Sequence, residues 1–281
     1  MKAGSPHKRV AGNNTRIGLA STVFAILAAG LPLAAAPTPT PDNRSRSGEL
    51  AALRVAENRA KGAAGLAAVE RGYGSVLERS PQDATARAAY AEFLARQGRA
   101  RDAASEIGRA ARDKPDDAAL AHRNGNLQLA AGNVRLAVEA MDRAAQLAPS
   151  SAGYRFDQAN FYYLFRRDLA GIVAPTAEAV LQTALRKFNE AAEIEPENAD
   201  YWLAYAETFY TLESADWMEA RRAWLRYHDL TPHKEFARVH LLRTSIRGGD
   251  RKEALRWAAT LPAGSSVGTK LRLQAEALPD P

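Results

Sequence analysis

Between residues 84 and 151, apolar residues recur every three or four positions, and each run is closed by a glycine or a proline. Tyr90, Phe93 and Leu94 mark one run and Ile107 the next; Leu120 and Leu127, then Val134, Val138 and Met141, mark two more. This is the spacing of amphipathic helices, and it predicts helices in pairs. The stretch divides without a gap into two units of 34 residues, 84–117 and 118–151. Position 8 of each unit is Ala91 or Gly125, position 15 is Gly98 or Gly132, position 20 is Ala103 or Ala137, position 27 is Ala110 or Ala144, and position 32 is Pro115 or Pro149. Glycine at 15 can take the left-handed backbone that ends one helix in a tight turn. Small residues at 8, 20 and 27 let two helices approach closely where they cross. Proline at 32 stops the second helix. Asp83, Asp117 and Ser151 are favoured N-caps for the helices that follow.

The rest of the chain reads as weaker copies. Residues 50–83 form a degenerate first unit, with Leu53, Val69, Tyr73, Val76 and Pro81 at the expected positions and Gly62 and Gly65 near the turn. Residues 152–198 form a unit with 13 extra residues around 166–178, between Ala159 and Tyr162 in the first helix and Ala184, Phe188 and Ala191 in the second. The insertion reads either as a lengthened turn with one or two apolar residues tucked under it, or as a binding loop. Pro175-Thr176 is expected to start the long helix after it. Residues 199–232 follow, capped by Asn198, with Trp202 at position 4, Ala206 at 8, Ala220 at 20 and Trp224 at 24, and with two extra residues in the turn. Thr231-Pro232 offers a cap for a partial sixth pair over 235–262, where Gly249 and Ala254 sit at positions 15 and 20. The tail, 263–281, contains a flexible link and one candidate capping helix over 269–278. One helical pair cannot bury both apolar faces, so the units must stack.

This pattern resembles the tetratricopeptide repeat family, in which W, L-G, Y, A, F and P recur along a 34-residue helix–turn–helix. The small residues, the turn and the proline match; Arg87 and Ala121 stand where the family places tryptophan. The resemblance implies an all-α fold, a right-handed superhelical solenoid of antiparallel helix pairs with about five to six repeats over 49–262. It also implies a concave groove lined by the first helix of each pair. Carried over position by position, the groove set is Glu92, Arg96, His122, Asn126, Phe156, Asn160, Tyr163, Glu207, Tyr210, Arg243 and Arg247. Asn126 and Asn160 share position 9, where an amide can bond an extended peptide backbone. The family's lysine clamp for a terminal carboxylate is not met, because position 5 holds Ala88, His122 and Phe156. The implied partner is therefore a mixed polar and aromatic segment of another protein. Trp202, Trp217 and Trp224 are read as core.

The first 36 residues change the charge balance. Lys2, Lys8, Arg9 and Arg16 precede an apolar stretch from Ile17 to Leu33 and a small-residue zone ending at Ala36, the order of a Sec-type signal peptide. An uncleaved membrane anchor is the alternative. Residues 37–48, rich in Pro, Thr and Ser, read as an extended, solvated linker. The formal net charge is +6, but four of the 38 basic residues and none of the 32 acids lie in the leader, so the remainder is close to +2. The basic balance is thus no nucleic-acid footprint. With no cysteine, a lipoprotein anchor is excluded; the expected setting is periplasmic or secreted. Charge is also segregated: residues 190–219 hold nine acids and no Lys or Arg, whereas 220–256 hold ten Lys or Arg against four acids. The basic stretch, with Arg221, Arg222, Arg226, Arg238, Arg243 and Arg247, is either a set of internally paired faces or a patch for an anionic surface.

No motif for catalysis is present. The five histidines have no metal-ligand spacing, and there is no phosphate loop, dinucleotide fingerprint or nucleophile elbow. No metal or cofactor is expected. The reading that follows is a non-catalytic protein–protein interaction scaffold of the bacterial envelope. A cell-wall or polysaccharide-binding module, or a wall-acting enzyme on an α-superhelix, is the alternative. A cytoplasmic module touching nucleic acid would follow only if the leader were misread.

Overall fold

The computed structural model describes residues 41–262 and 264–279. The expected signal peptide, the first residues of the linker and the last two residues of the tail lie outside them. The described residues form fourteen α-helices: α1 Pro41–Arg59, α2 Gly62–Arg79, α3 Ala84–Arg96, α4 Ala100–Asp113, α5 Ala118–Ala130, α6 Val134–Leu147, α7 Ala152–Leu164, α8 Arg166–Leu169, α9 Ala177–Ile194, α10 Ala199–Thr208, α11 Trp217–Leu230, α12 Lys234–Arg247, α13 Arg251–Ala258 and α14 Ser266–Glu276. The chain divides into compact units at Glu49–Leu50, and the described part of the first is the beginning of α1. One expectation fails here: the linker over 37–48 is not extended throughout, because α1 starts at Pro41. Proline suits a first helical position, where its missing N–H has no intrahelical partner.

In the second unit, from Leu50 onward, consecutive helices pack on one another in chain order, α2 to α14, apart from the short α8, which packs against α7 and α9 as those two pack together. The caps hold the register. Asp83 Oδ1 accepts from the N–H groups of Thr85 and Ala86, both at 3.0 Å, Asp117 Oδ1 from Leu120 at 2.9 Å, Ser151 Oγ from Tyr154 at 3.3 Å and Asn198 Oδ1 from Asp200 at 3.1 Å. Each satisfies amide donors that the first helical turn leaves open. Gly98, Gly132 and Gly249 turn between paired helices at φ of 75°, 81° and 71°. The small residues are where the pairs touch. Ala91, Ala103, Ala110, Ala137, Ala144, Ala159, Ala184, Ala191, Ala206, Ala220 and Ala254 are wholly buried. Gly125 is another such point: a Cβ there would lie 2.9 Å from Met141 Cγ.

The front position shows how the pattern tolerates a non-family residue. Trp202 Nε1 donates to the Pro196 carbonyl at 2.9 Å. Arg87, at the same position of its unit, donates to the carbonyl of Pro81 and pairs with Glu106 at 2.8 Å. In the unit where Ala121 is too short to reach back, Arg143 of α6 lies 3.4 Å from the Pro115 carbonyl and 2.9 Å from Asp116. The need met in all three is a donor for the carbonyl of the proline in the turn between units.

Two further departures concern loops. Thr231-Pro232 does not cap α12, which begins at Lys234; Thr231 is buried at the end of α11, and its Oγ1 accepts from the His233 N–H at 3.1 Å. The extra residues of the fourth unit form α8 and a turn closed by Gly171 N–H to Ala174 O at 2.8 Å. Leu169 is fully buried under this turn, while Ile172 and Val173 are over a third exposed. Thr176 caps α9 through the Ala179 N–H at 3.1 Å. At the far end, Leu271 and Ala275 of α14 join the large apolar core that runs from α6 onward, so this helix covers the last pair.

Three substitutions test this packing by urea denaturation. Gly125→Leu overpacks the contact with Met141 and is expected to cost about 1–3 kcal/mol. Gly132→Ala forces a Cβ into the left-handed region at a cost of about 1–2 kcal/mol. Arg87→Ala leaves the Pro81 carbonyl unmet and leaves Glu106 with Arg109 alone, a loss of about 1–3 kcal/mol. Unchanged midpoints would remove the close approach, the turn and the front donor, respectively, from the account.

Candidate functional site

The first helices of successive pairs are α1, α3, α5, α7, α10 and α12, and side-chain contacts connect them in that order. Arg96 of α3 binds Glu57 of α1 through two bonds of 2.7 Å. Glu92 of α3 lies 3.3 Å from Arg54 of α1 and 3.5 Å from Arg123 of α5. His122 of α5 meets Asp157 of α7 at 2.8 Å and stacks on Tyr154. Phe156 of α7 packs on Tyr201 of α10 with ring centres 4.6 Å apart. The Tyr163 hydroxyl, at the end of α7, is 3.0 Å from Thr211 Oγ1 in the 3₁₀ turn that continues α10. Tyr210 of that turn is 3.0 Å from His240 Nδ1 of α12. Residues taken at positions 5, 9, 12 and 13 thus join first helix to first helix, as side chains sharing one face do.

The two ends of this face differ. At the α1–α5 end, Glu92 and Arg96 are closed into ion pairs. At the α7–α12 end the face is aromatic and its polar groups are less completely met. His240 lies flat on Trp224 at 4.1 Å and against Phe236 at 4.6 Å. Burial, helped by the charge of Arg243, holds its pKa down at about 3, so the ring is neutral at physiological pH. A neutral Nδ1 can accept from the Tyr210 hydroxyl, whose own pKa is raised by burial. Arg247 sits over Trp217 at 4.7 Å and over Tyr210 at 5.6 Å. The half-buried Glu207 has its carboxyl pushed up to about 7 by burial. Asn160 keeps a buried side-chain amide nitrogen without an acceptor. Asn126 is half-buried on α5.

Sequence reasoning missed His240, Phe236 and the closing partners Arg54, Glu57, Arg123 and Asp157. Phe236 was accessible to it, since it occupies position 2 of the sixth pair, a groove-facing position of the family. The others depend on which helices become neighbours. Trp224 is core as expected, with no exposure, and Trp202 is engaged at the front carbonyl. Most of the basic stretch is paired within the fold: Arg221 with Asp250 at 2.6 Å, Arg222 with Glu219 at 2.9 Å, Arg226 over Trp202 and Arg247 over Trp217. The patch for an anionic surface is therefore smaller than the sequence suggests, because acids and aromatic faces of adjacent helices take up its charge. Among the described residues no group of His, Asp or Glu is placed to hold a metal ion, and no helix is long and apolar enough to cross a membrane.

No protein-family model matches this chain, and no curated protein matches it in sequence. Solved structures do match. YrrB, described as a TPR protein with an unusual peptide-binding site, aligns with a TM-score of 0.51 at 12% identity, over 73% of this chain and 95% of that one. A chain in the structure of Naa15/Naa10 bound to HypK-THB aligns with a TM-score of 0.59 at 18% identity, over 82% of this chain and 34% of that one. At such identities the likeness shows the fold: a tetratricopeptide-repeat solenoid of antiparallel helix pairs.

The raised pKa of Glu207 has a signed consequence for stability. Between pH 4.5, the ordinary carboxyl value, and about 7, the folded state holds a proton that the unfolded state has released. Stability contributed by this group is therefore full below that window, falls as pH rises through it and is level above it. Glu207→Gln is expected to melt like the wild type at acid pH and to be more stable above neutrality, by on the order of 2 kcal/mol after screening by nearby water. His240 acts in the opposite sense in both proteins and cancels in the comparison. A wild-type-minus-variant difference that stays flat with pH would show that the carboxyl is not desolvated.

Proposed function

We propose that this protein is a non-catalytic interaction scaffold of the bacterial envelope, which holds an extended segment of a protein partner along its first-helix face. The observation that carries the reading is the continuous face itself. Six first helices lie side by side, and the face changes from closed ion pairs at one end to aromatic rings with unmet polar groups at the other. Aromatic side chains with few rotamers, set among a few polar groups, suit a peptide better than a rigid small molecule. The peptide-binding site of YrrB, and the occurrence of a like fold in an assembly of Naa15, Naa10 and HypK, favour a protein or peptide as partner. The internal pairing of the arginines weighs against an anionic surface as the main ligand. The basic and apolar order of residues 1–36 is the ground for the envelope setting.

The test is crosslinking and affinity capture of the full-length protein from fractionated cells, followed by the variant Asn126→Ala, Asn160→Ala, Tyr163→Phe. The expected outcome is one stoichiometric protein partner in the periplasmic fraction, bound at least about tenfold more weakly by the triple variant while helicity is unchanged. Equal capture by the variant would remove the groove from the reading. Recovery of the leader-bearing form in the cytosol would remove the envelope setting.

A further inference from the structure

Polar groups taken out of water are nearly always paired, and those that are not call for a ligand or a reason. Along the first-helix face, pairing is complete at Glu92, Arg96 and His122. It lapses at two adjacent rungs. Asn160 on α7 has a buried side-chain nitrogen with no acceptor. Glu207 on α10 is half-buried, and among the described residues no Lys, Arg or His forms an ion pair with it. Both residues stand at position 9 of consecutive units, the position at which Glu92 is ion-paired.

Two contacts frame them. Phe156, one turn before Asn160, packs on Tyr201 of α10, and Tyr163, one turn after it, bonds to Thr211 just beyond Glu207. Asn160 and Glu207 therefore lie between the same two bridges on neighbouring helices. The nearby arginines do not supply the missing cation. Arg247 is held on Trp217 and Tyr210, and among the described residues neither Arg243 nor Arg247 forms an ion pair with Glu207. An incoming positive group would recover the Coulomb and hydrogen-bond energy that this carboxylate lacks. The amide of Asn160 on the neighbouring first helix is a donor suited to a backbone carbonyl.

We propose that Glu207 and Asn160 together anchor a basic side chain, lysine or arginine, of the extended segment held in the groove, Glu207 taking the cation and Asn160 an adjacent backbone carbonyl. This rests on the groove reading above and adds to it a location and a side-chain class.

The experiment uses fluorescein-labelled, C-amidated nonapeptide pools with random flanks and a fixed central Lys, Arg, norleucine or Glu, titrated against the full chain by anisotropy. The Lys and Arg pools are expected to bind at least about tenfold more tightly than the norleucine pool, the gain of one charge-assisted bond. Glu207→Gln should abolish the preference of the Lys pool over the norleucine pool. Glu207→Asp, which keeps the charge, should keep the preference. Asn160→Ala should weaken every pool alike. Basic pools that bind no better than norleucine, a Glu pool that binds best, or a preference that survives Glu207→Gln would each overturn the anchor and leave the groove standing. Failure of every pool to bind the wild type would overturn the groove reading and the anchor together.

Discussion

The fold depends on how closely helices approach at positions 8, 20 and 27 of each unit. In the two regular units, 84–117 and 118–151, all three positions hold alanine or glycine, and the alanines are fully buried. A helix pair that meets over such residues leaves its larger side chains pointing outward on both sides, toward the preceding and following pair. Phe93 packs in this way on Tyr73 of the preceding pair, and Trp224 on His240 of the following one. No pair can close its core by itself, so the array lengthens until something covers the end. The helix Ser266–Glu276 does this with Leu271 and Ala275.

Stacking by small residues fixes where the helices go but leaves open carbonyls where prolines end them. Arg87, Arg143 and Trp202 show three solutions: a guanidinium from the front of the next helix, a guanidinium from the helix after that, and an indole N–H. The constraint is the unmet acceptor, and side chains of quite different size satisfy it. This is why a unit that lacks the family's tryptophan still keeps the same geometry.

The first-helix face follows from the same stacking, because each first helix is held beside the next. Its ends differ in chemistry. Toward α1, charges of opposite sign meet across adjacent helices and neutralise each other. Toward α12, aromatic rings take up arginine charge, and burial shifts a carboxyl and a histidine in opposite directions, one toward keeping its proton and the other toward losing it. The result is a surface whose polar groups are neutral or unpartnered near physiological pH, and such a surface has more to gain from a ligand than one already closed by its own ion pairs.

The repeat was legible from the sequence because its determinants are local. A glycine that turns, a proline that stops and a side chain that caps act within a few residues, so Gly98, Gly132 and Asp83, Asp117, Ser151 and Asn198 behave as their spacing implies. Local signals also misled in two places. Composition made 37–48 an extended spacer although Pro41 can open a helix, and Thr231-Pro232 looked like a cap although the threonine is needed at the end of the preceding helix. The candidate site was legible only as a set of positions. That Glu92 and Arg96 are closed and Glu207 and Asn160 are not, and that His240 belongs beside Tyr210, was decided by the tertiary structure. Pairing and desolvation depend on residues some thirty to forty positions apart, brought together by stacking, and no local pattern carries that information.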